Sequence, residues 1–267
     1  MGSLARIASR ALIGMALAVF LALFGTPAVA ADLGPAIQAH LTKAADVPPA
    51  VKGDTSGPEL LAFYRERNFQ PIWLEGSKAG KRARELLAIL SSARADGLEP
   101  VDYAVPRLAS MIDAAATADA VQLDVLLSFA AVHFGNDLAA GRIDPSAIDN
   151  EILQNPEKIP PGTLIRDAVA APDLKAFYAS LSPQTENYRR LRDALARYRV
   201  IAQQGGFVPV PSGEPIKPGM NDPRLPALRA RLAQSGLATA PEGDPSRYDA
   251  ALEKAVRIFQ ARHGLPL

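Results

Sequence analysis

Apolar residues recur every three or four positions through most of residues 57–206, and nowhere do they alternate over the length of a strand. A repeat of 3.6 gives a helix one buried stripe, whereas a half-buried strand needs a repeat of two. The pattern therefore predicts an all-α fold, a helical bundle. A first helix opens at Gly57-Pro58, with proline in the favoured first turn, and carries Leu60, Phe63, Tyr64 and Arg67. Phe69, Ile72 and Trp73 bracket Pro71, which predicts a short extended piece folding back on that helix. A second helix is expected over 78–94 on Leu86, Leu87, Ile89 and Leu90, stopped by Gly97 with Leu98 behind it.

A third helix begins near Pro106 with Leu108, Met111, Ile112 and Ala115 on one face. A fourth covers about 119–140 through Leu123, Leu127, Ala130, Phe134 and Leu138, with Gly141 as its stop. Prolines make 142–163 irregular. Short helices are expected at 164–170 and 173–181. Ser182-Pro183 reads as a cap and first position opening a long helix to about 204, with Tyr188, Leu191, Leu195, Tyr198 and Ala202 on one side.

Five segments follow from these boundaries. Residues 1–30 are a signal peptide, 31–56 a mobile lead-in rich in Ala, Pro and Gly, and 57–206 a helical scaffold. Residues 207–221, with four prolines, form a linker, and 222–267 a second helical module. In that module Asp222-Pro223 starts one helix carrying Leu225, Leu228 and Leu232. Ser246 caps another carrying Leu252, Ala255, Val256 and Phe259. Two helices with one stripe each need a third element to close a core. The sequence supplies none before Leu267, so the module is expected to be incomplete and the chain a fragment.

The address at the start rests on Arg6 and Arg10, the apolar run 11–24, and Ala28-Val29-Ala30 as a small-residue cleavage site. That run is 14 residues, short of the ~20 that span a bilayer, so a membrane anchor is the weaker reading. Cleavage is expected after Ala30. It removes two of the 29 positive residues and none of the 28 negative ones, leaving a net charge of −1. Such a balance offers no electrostatic case for nucleic acid as a partner. The chain has no cysteine, which excludes disulfides, thiolate metal sites and a lipoprotein anchor. Export without disulfides points to a bacterial periplasm or cell surface.

Candidate chemistry is sparse. The histidines His40, His133 and His263 lie far apart in sequence, which argues against a histidine-rich metal site. Neither Ser56 nor Ser212 has the glycine frame of a nucleophile elbow. His133, between Val132 and Phe134, reads as a packing or surface histidine. Asp144 and Asp149 near Glu151 could be read as a carboxylate pair for glycoside cleavage, yet as loop acids beside Pro145 they read as turn and cap residues. Trp73 could stack on a sugar but is better placed in a core. Arg189, Arg190 and Arg192 belong to a solvated helix face, and Gly205-Gly206 to a helix stop. No catalytic, cofactor-binding or metal-binding residue is assigned, and no cofactor is expected.

Several strings in order carry a resemblance: 61–73 (LAFYRERNFQPIW), 95–103 (ADGLEPVDY), 137–145 (DLAAGRIDP) and 188–211, which ends in GGFVPVP. Together they resemble the helical scaffold domain of the large periplasmic murein L,D-transpeptidases, the YcbB-like group. Residues 222–267, above all 255–265 (AVRIFQARHGL), resemble the first two helices of a peptidoglycan-binding repeat. Members of that group continue into a β-rich catalytic domain with a Ser-His-Gly-Cys motif. Its cysteine attacks the carbonyl between diaminopimelate and D-alanine and hands the acyl group to a second stem, forming a 3-3 cross-link. This chain has no cysteine, so the resemblance implies the pathway and not activity in these residues. The expectation is a non-catalytic N-terminal portion with scaffold and wall-binding roles, partnered by peptidoglycan and other cell-wall synthesis proteins. The alternative is a stand-alone periplasmic peptidoglycan-binding or adaptor protein. A helical wall hydrolase is disfavoured by the lack of a convincing acid pair.

Overall fold

The computed structural model describes residues 32–44, 55–113, 117–143, 145, 148–149, 151, 157–241 and 243–267. The fold is all-α, with ten α-helices and one two-stranded sheet among the described residues. None of these helices is long and apolar enough to cross a membrane. The proposed signal peptide at 1–30 lies outside the described residues. The chain divides into two compact units: the residues up to Arg94 with Leu98–Pro183, and Ala95–Gly97 with Gln184–Leu267.

In the first unit α5 (Thr117–Ala140) is the central element. It packs against α1 (Gly34–Ala44), α2 (Gly57–Glu66), α3 (Lys81–Ser91), α4 (Val105–Met111), α6 (Pro161–Ala170) and α7 (Leu174–Leu181). Val121, Leu123, Val125, Leu126, Leu127 and Phe129 through Val132 are all buried. A helix apolar on every side has to be enclosed by others, and α5 is. Gly135 permits the close approach of α6: a Cβ there would lie 2.7 Å from one methyl of buried Leu164.

Helix α1 corrects the expected mobile lead-in over 31–56. Leu33, Ile37 and Leu41 recur at four-residue spacing, and all three are buried. Asp32 supplies an acceptor to the Gly34 amide at 3.0 Å. The Ala/Pro/Gly composition concealed this stripe. Residues 45–54 lie outside the described residues.

The second predicted helix starts later than expected. Lys78–Ala79 is strand β2, antiparallel to β1 (Leu74–Glu75) around Gly76. The Gly80 amide also donates to the Trp73 carbonyl at 2.8 Å. Backbone groups committed to that hairpin cannot join a helix, so α3 begins at Lys81. Its far end passes into a 3-10 turn, Ala93–Asp96, and Gly97 (φ 79°) makes the expected stop. The short helices expected near 164 and 173 are present as α6 and α7. Asp173 caps α7 by accepting from the Ala176 amide at 2.8 Å.

In the second unit α8 (Glu186–Gln203) is capped by Thr185, not by Ser182-Pro183. Ser182 instead ends α7 in an extended conformation. The side of α8 that carries Tyr188, Leu191, Leu195, Tyr198 and Ala202 is not enclosed. None of its residues is buried, and Leu191 is 69% exposed. A few apolar residues among five arginines give too narrow a stripe to be enclosed.

Helices α9 (Leu225–Gln234) and α10 (Ala250–Arg262) pack on each other. Their core is Leu225, Leu232, Tyr248, Leu252 and Ala255, flanked by Ile216, Leu228, Leu237, Val256 and Phe259. Asp222 does not cap α9; its carboxylate pairs with Arg224 at 2.8 Å. Asp249 rather than Ser246 caps α10, accepting from the Leu252 amide at 2.8 Å.

The segment 207–221, expected to be a linker, is tied into this unit. Gly219 and Met220 exchange 2.8 Å backbone hydrogen bonds with Tyr248, and Asn221 bridges Arg247. Ile216 joins the core, and the Val208 amide donates to Gln234 at 2.8 Å. These contacts cover part of the apolar surface that two helices alone would leave bare.

Candidate functional site

A buried polar node fastens the 64–73 segment to α5. Asp124 has no exposed surface. One carboxylate oxygen accepts from the Trp73 amide at 2.7 Å and the Ile72 amide at 3.0 Å, and the other from the Tyr64 hydroxyl at 2.6 Å. Ser128, one turn on, meets the Tyr64 hydroxyl at 2.7 Å and accepts from the Trp73 indole at 2.9 Å. Burial pushes the Asp124 carboxyl up to about 6, against the lowering pull of those donors. Every partner is internal, so the node is structural. Trp73, at 1% exposure, lies in the core and is closed to sugar stacking. Asp124 was missed from sequence, although an acid inside an otherwise apolar helix signals a paired, buried carboxylate.

A second cluster joins two of the strings that carried the resemblance. The Tyr103 hydroxyl donates to Asp137 at 2.7 Å, and Arg142 reaches Asp102 at 2.5 Å and Asp137 at 3.5 Å. His133 Nε2 lies 3.7 Å from the same Asp137 oxygen, and its ring is 5.6 Å from that of Tyr103. Burial and the adjacent Asp137 push the Tyr103 hydroxyl well above its ordinary range. The hydroxyl and the guanidinium both occupy Asp137. The cluster clamps the 98–103 loop to the end of α5.

The other sequence candidates are not brought together. Asp149 accepts from the Glu151 amide at 2.9 Å, a turn contact, and Asp144 lies outside the described residues. Ser56 is buried and Ser212 is exposed. Arg189 and Arg190 pair with Glu186, and Arg192 with Asp96. Gly205 and Gly206 take left-handed φ values, and the Gly206 amide closes α8 onto Ile201 at 2.9 Å. Among the described residues no three His, Cys, Asp or Glu side chains gather as a metal site.

What sequence reading missed is a cleft of about 600 Å³ inside the second unit. That lies within the ~300–1,000 Å³ range of small-ligand sites. Phe207 builds its floor: the Arg231 guanidinium sits 3.7 Å from the Phe207 ring centroid, and Tyr198 meets that ring edge-on at 5.9 Å. His263 stacks on Phe259 at 4.1 Å. Gln234 fixes the turn before Phe207 by bonding both Gly206 and Val208. Arg197 and Arg262 also line the cleft, and no acid does.

The family described as Scaffold domain matches residues 58–195, just over half of the chain. It is known from the N-terminal regions of L,D-transpeptidases. Among curated proteins, none matches the chain.

Proposed function

Because the chain belongs to the Scaffold domain family, we propose that it serves as the non-catalytic scaffold region of a periplasmic murein L,D-transpeptidase of the YcbB-like group, holding that machinery on peptidoglycan during 3-3 cross-linking. The observation that carries this reading is the family match over 58–195. Two further features support it. The matched residues of the first unit form helices packed around α5. The chain also has no cysteine, and acyl transfer of this type needs an activated nucleophile. Its role is therefore to bind and position. Export rests on the basic start, apolar run and small-residue site of residues 1–30.

The test has two readouts on the purified chain. Incubation with tetrapeptide muropeptides should leave them unchanged, and the chain should co-sediment with intact peptidoglycan sacculi. Formation of 3-3 dimers or release of D-alanine would overturn the non-catalytic assignment, and absence from the sacculus pellet would overturn wall binding. The periplasmic form should have an intact mass beginning at Ala31.

A further inference from the structure

We propose that α8 is a surface helix that docks the second unit on an anionic lipid bilayer. At about 3.6 residues per turn, Leu191, Ala194, Leu195, Tyr198, Ile201 and Ala202 share one side of this helix. Arg190 and Arg197 run along one edge of that side, and Arg192 and Arg199 along the other. Glu186 and Asp193 lie on the far side, away from the apolar one. Cations on both edges and acids opposite are the radial order of a helix lying in a membrane interface. There the arginine stems cover lipid tails while their heads meet phosphate. No helix among the described residues is long and apolar enough to cross a membrane, so the contact is with the surface.

The apolar side is open where it would meet lipid. One margin leans on the 95–97 turn: the Tyr188 hydroxyl lies 2.9 Å from Asp96, and Arg192 Nε 3.3 Å from the Ala95 carbonyl. Leu191, Tyr198 and Ala202 remain exposed, Tyr198 at 54%. Tyr198, an amphipathic ring of the kind that membrane interfaces favour, meets Phe207 and widens the stripe. Arg190 is paired with Glu186, but the pair is exposed and yields easily to a phosphate. Charge complementarity selects an anionic occupant. The second unit carries 13 Lys and Arg against nine Asp and Glu, whereas the first carries 16 against 19. A second copy is the poorer occupant, because pairing two such stripes sets arginine edges against arginine edges. A partner protein would have to bring acids along both edges, which anionic headgroups present everywhere.

The experiment sediments residues 31–267, which omit the apolar run 11–24, with sucrose-loaded vesicles. The vesicles are phosphatidylcholine alone or mixed with an equal part of phosphatidylglycerol. Binding to the anionic vesicles should be at least tenfold tighter than to the neutral ones and should fall with added salt. Leu191→Ser/Tyr198→Ser should lose at least tenfold, as should Arg190→Glu/Arg197→Glu, while Val200→Ser on the far side keeps its affinity. All five positions are exposed, so these variants should fold, and circular dichroism checks that they do. In Trp73→Phe/Leu191→Trp, anionic vesicles should shift the tryptophan emission to the blue. No sedimentation, equal sedimentation with both vesicle types, equal binding by wild type and either double variant, or unshifted emission from the bound protein overturns the proposal. So does dimerisation in lipid-free buffer that Leu191→Ser/Tyr198→Ser abolishes, which would give the stripe to a second copy. The proposal goes beyond wall binding and does not need it, so failure here leaves the sacculus result untouched.

Discussion

Arg229 Nη2 lies 2.6 Å from Asp249 Oδ2, and the two side chains are only 8% and 6% exposed. The guanidinium spends its other donors on the carbonyls of Pro245 and Arg247 and on the Thr239 hydroxyl. The second oxygen of Asp249 caps α10. One ion pair thus joins α9, Thr239, residues 245–247 and the start of α10, beside a core of five buried residues.

Removing one member of such a pair strands the other charge in a dry site, which costs about 3–5 kcal/mol. Arg229→Ala should therefore abolish hydrogen-exchange protection of residues 250–262. Protection of 121–138 in the first unit should be unchanged. Slow exchange persisting in α10 would show that the apolar contacts suffice without the pair.

Trp73, the chain's only tryptophan, is a clean reporter for the first unit. Its burial and its indole bond to Ser128 predict blue-shifted emission and weak quenching by acrylamide. Muropeptides should leave that emission unchanged. Trp73→Phe keeps most of the packing and forfeits one hydrogen bond, so it should cost about 1 kcal/mol in urea unfolding. Quenching by muropeptide would return Trp73 to sugar recognition.

The stripes of α2 through α7 were legible because burial in a bundle follows helical spacing directly. Phe63, Leu86, Leu108 and Leu164 sit where periodicity puts them. Caps were less legible. Asp249 takes the cap from Ser246 because Arg229, twenty residues away, holds its carboxylate in place, a tertiary fact with no local signature. Lys78 and Ala79 left the helix for a hairpin whose partner strand is two residues long. The cleft was invisible for a similar reason. Phe207 stands among prolines and glycines, and only Arg231 and Gln234 give it a position.

Gly135 tests the contact of α5 with α6. Alanine would add about 1 kcal/mol of helix propensity, but its methyl would meet Leu164 at 2.7 Å. Overpacking of a filled core costs about 1–3 kcal/mol, so a net loss near 1 kcal/mol is expected. In a Leu164→Ala background the same substitution should be neutral or stabilising, and a double-mutant cycle reads the coupling. Additive effects would mean that Leu164 moves aside freely.

Asp124 makes the stability of the first unit depend on pH in an unusual direction. Most structural carboxylates are held below their ordinary range, and proteins lose their contribution in acid. Here burial holds the carboxyl up to about 6 in the folded chain, above the 3.8 of the unfolded one. Between those values the folded state binds more protons, so lowering the pH from 7 towards 4 strengthens this site. The stabilisation is complete below the unfolded value and lost as pH rises through about 6, a change on the order of 3 kcal/mol. Asp124→Asn should remove that dependence while keeping most of the node. Its amide oxygen can accept from Ile72 and Trp73, and its NH2 can donate to the Tyr64 hydroxyl, which then donates to Ser128. Asp124→Ala instead strands three donors at about 1–3 kcal/mol each and should unfold the unit readily. The measurement is the urea midpoint of Trp73 fluorescence at intervals from pH 4 to 8, for wild type and Asp124→Asn. If the two curves run parallel across pH 4–7, the proton belongs to another group and the node is held as an anion throughout.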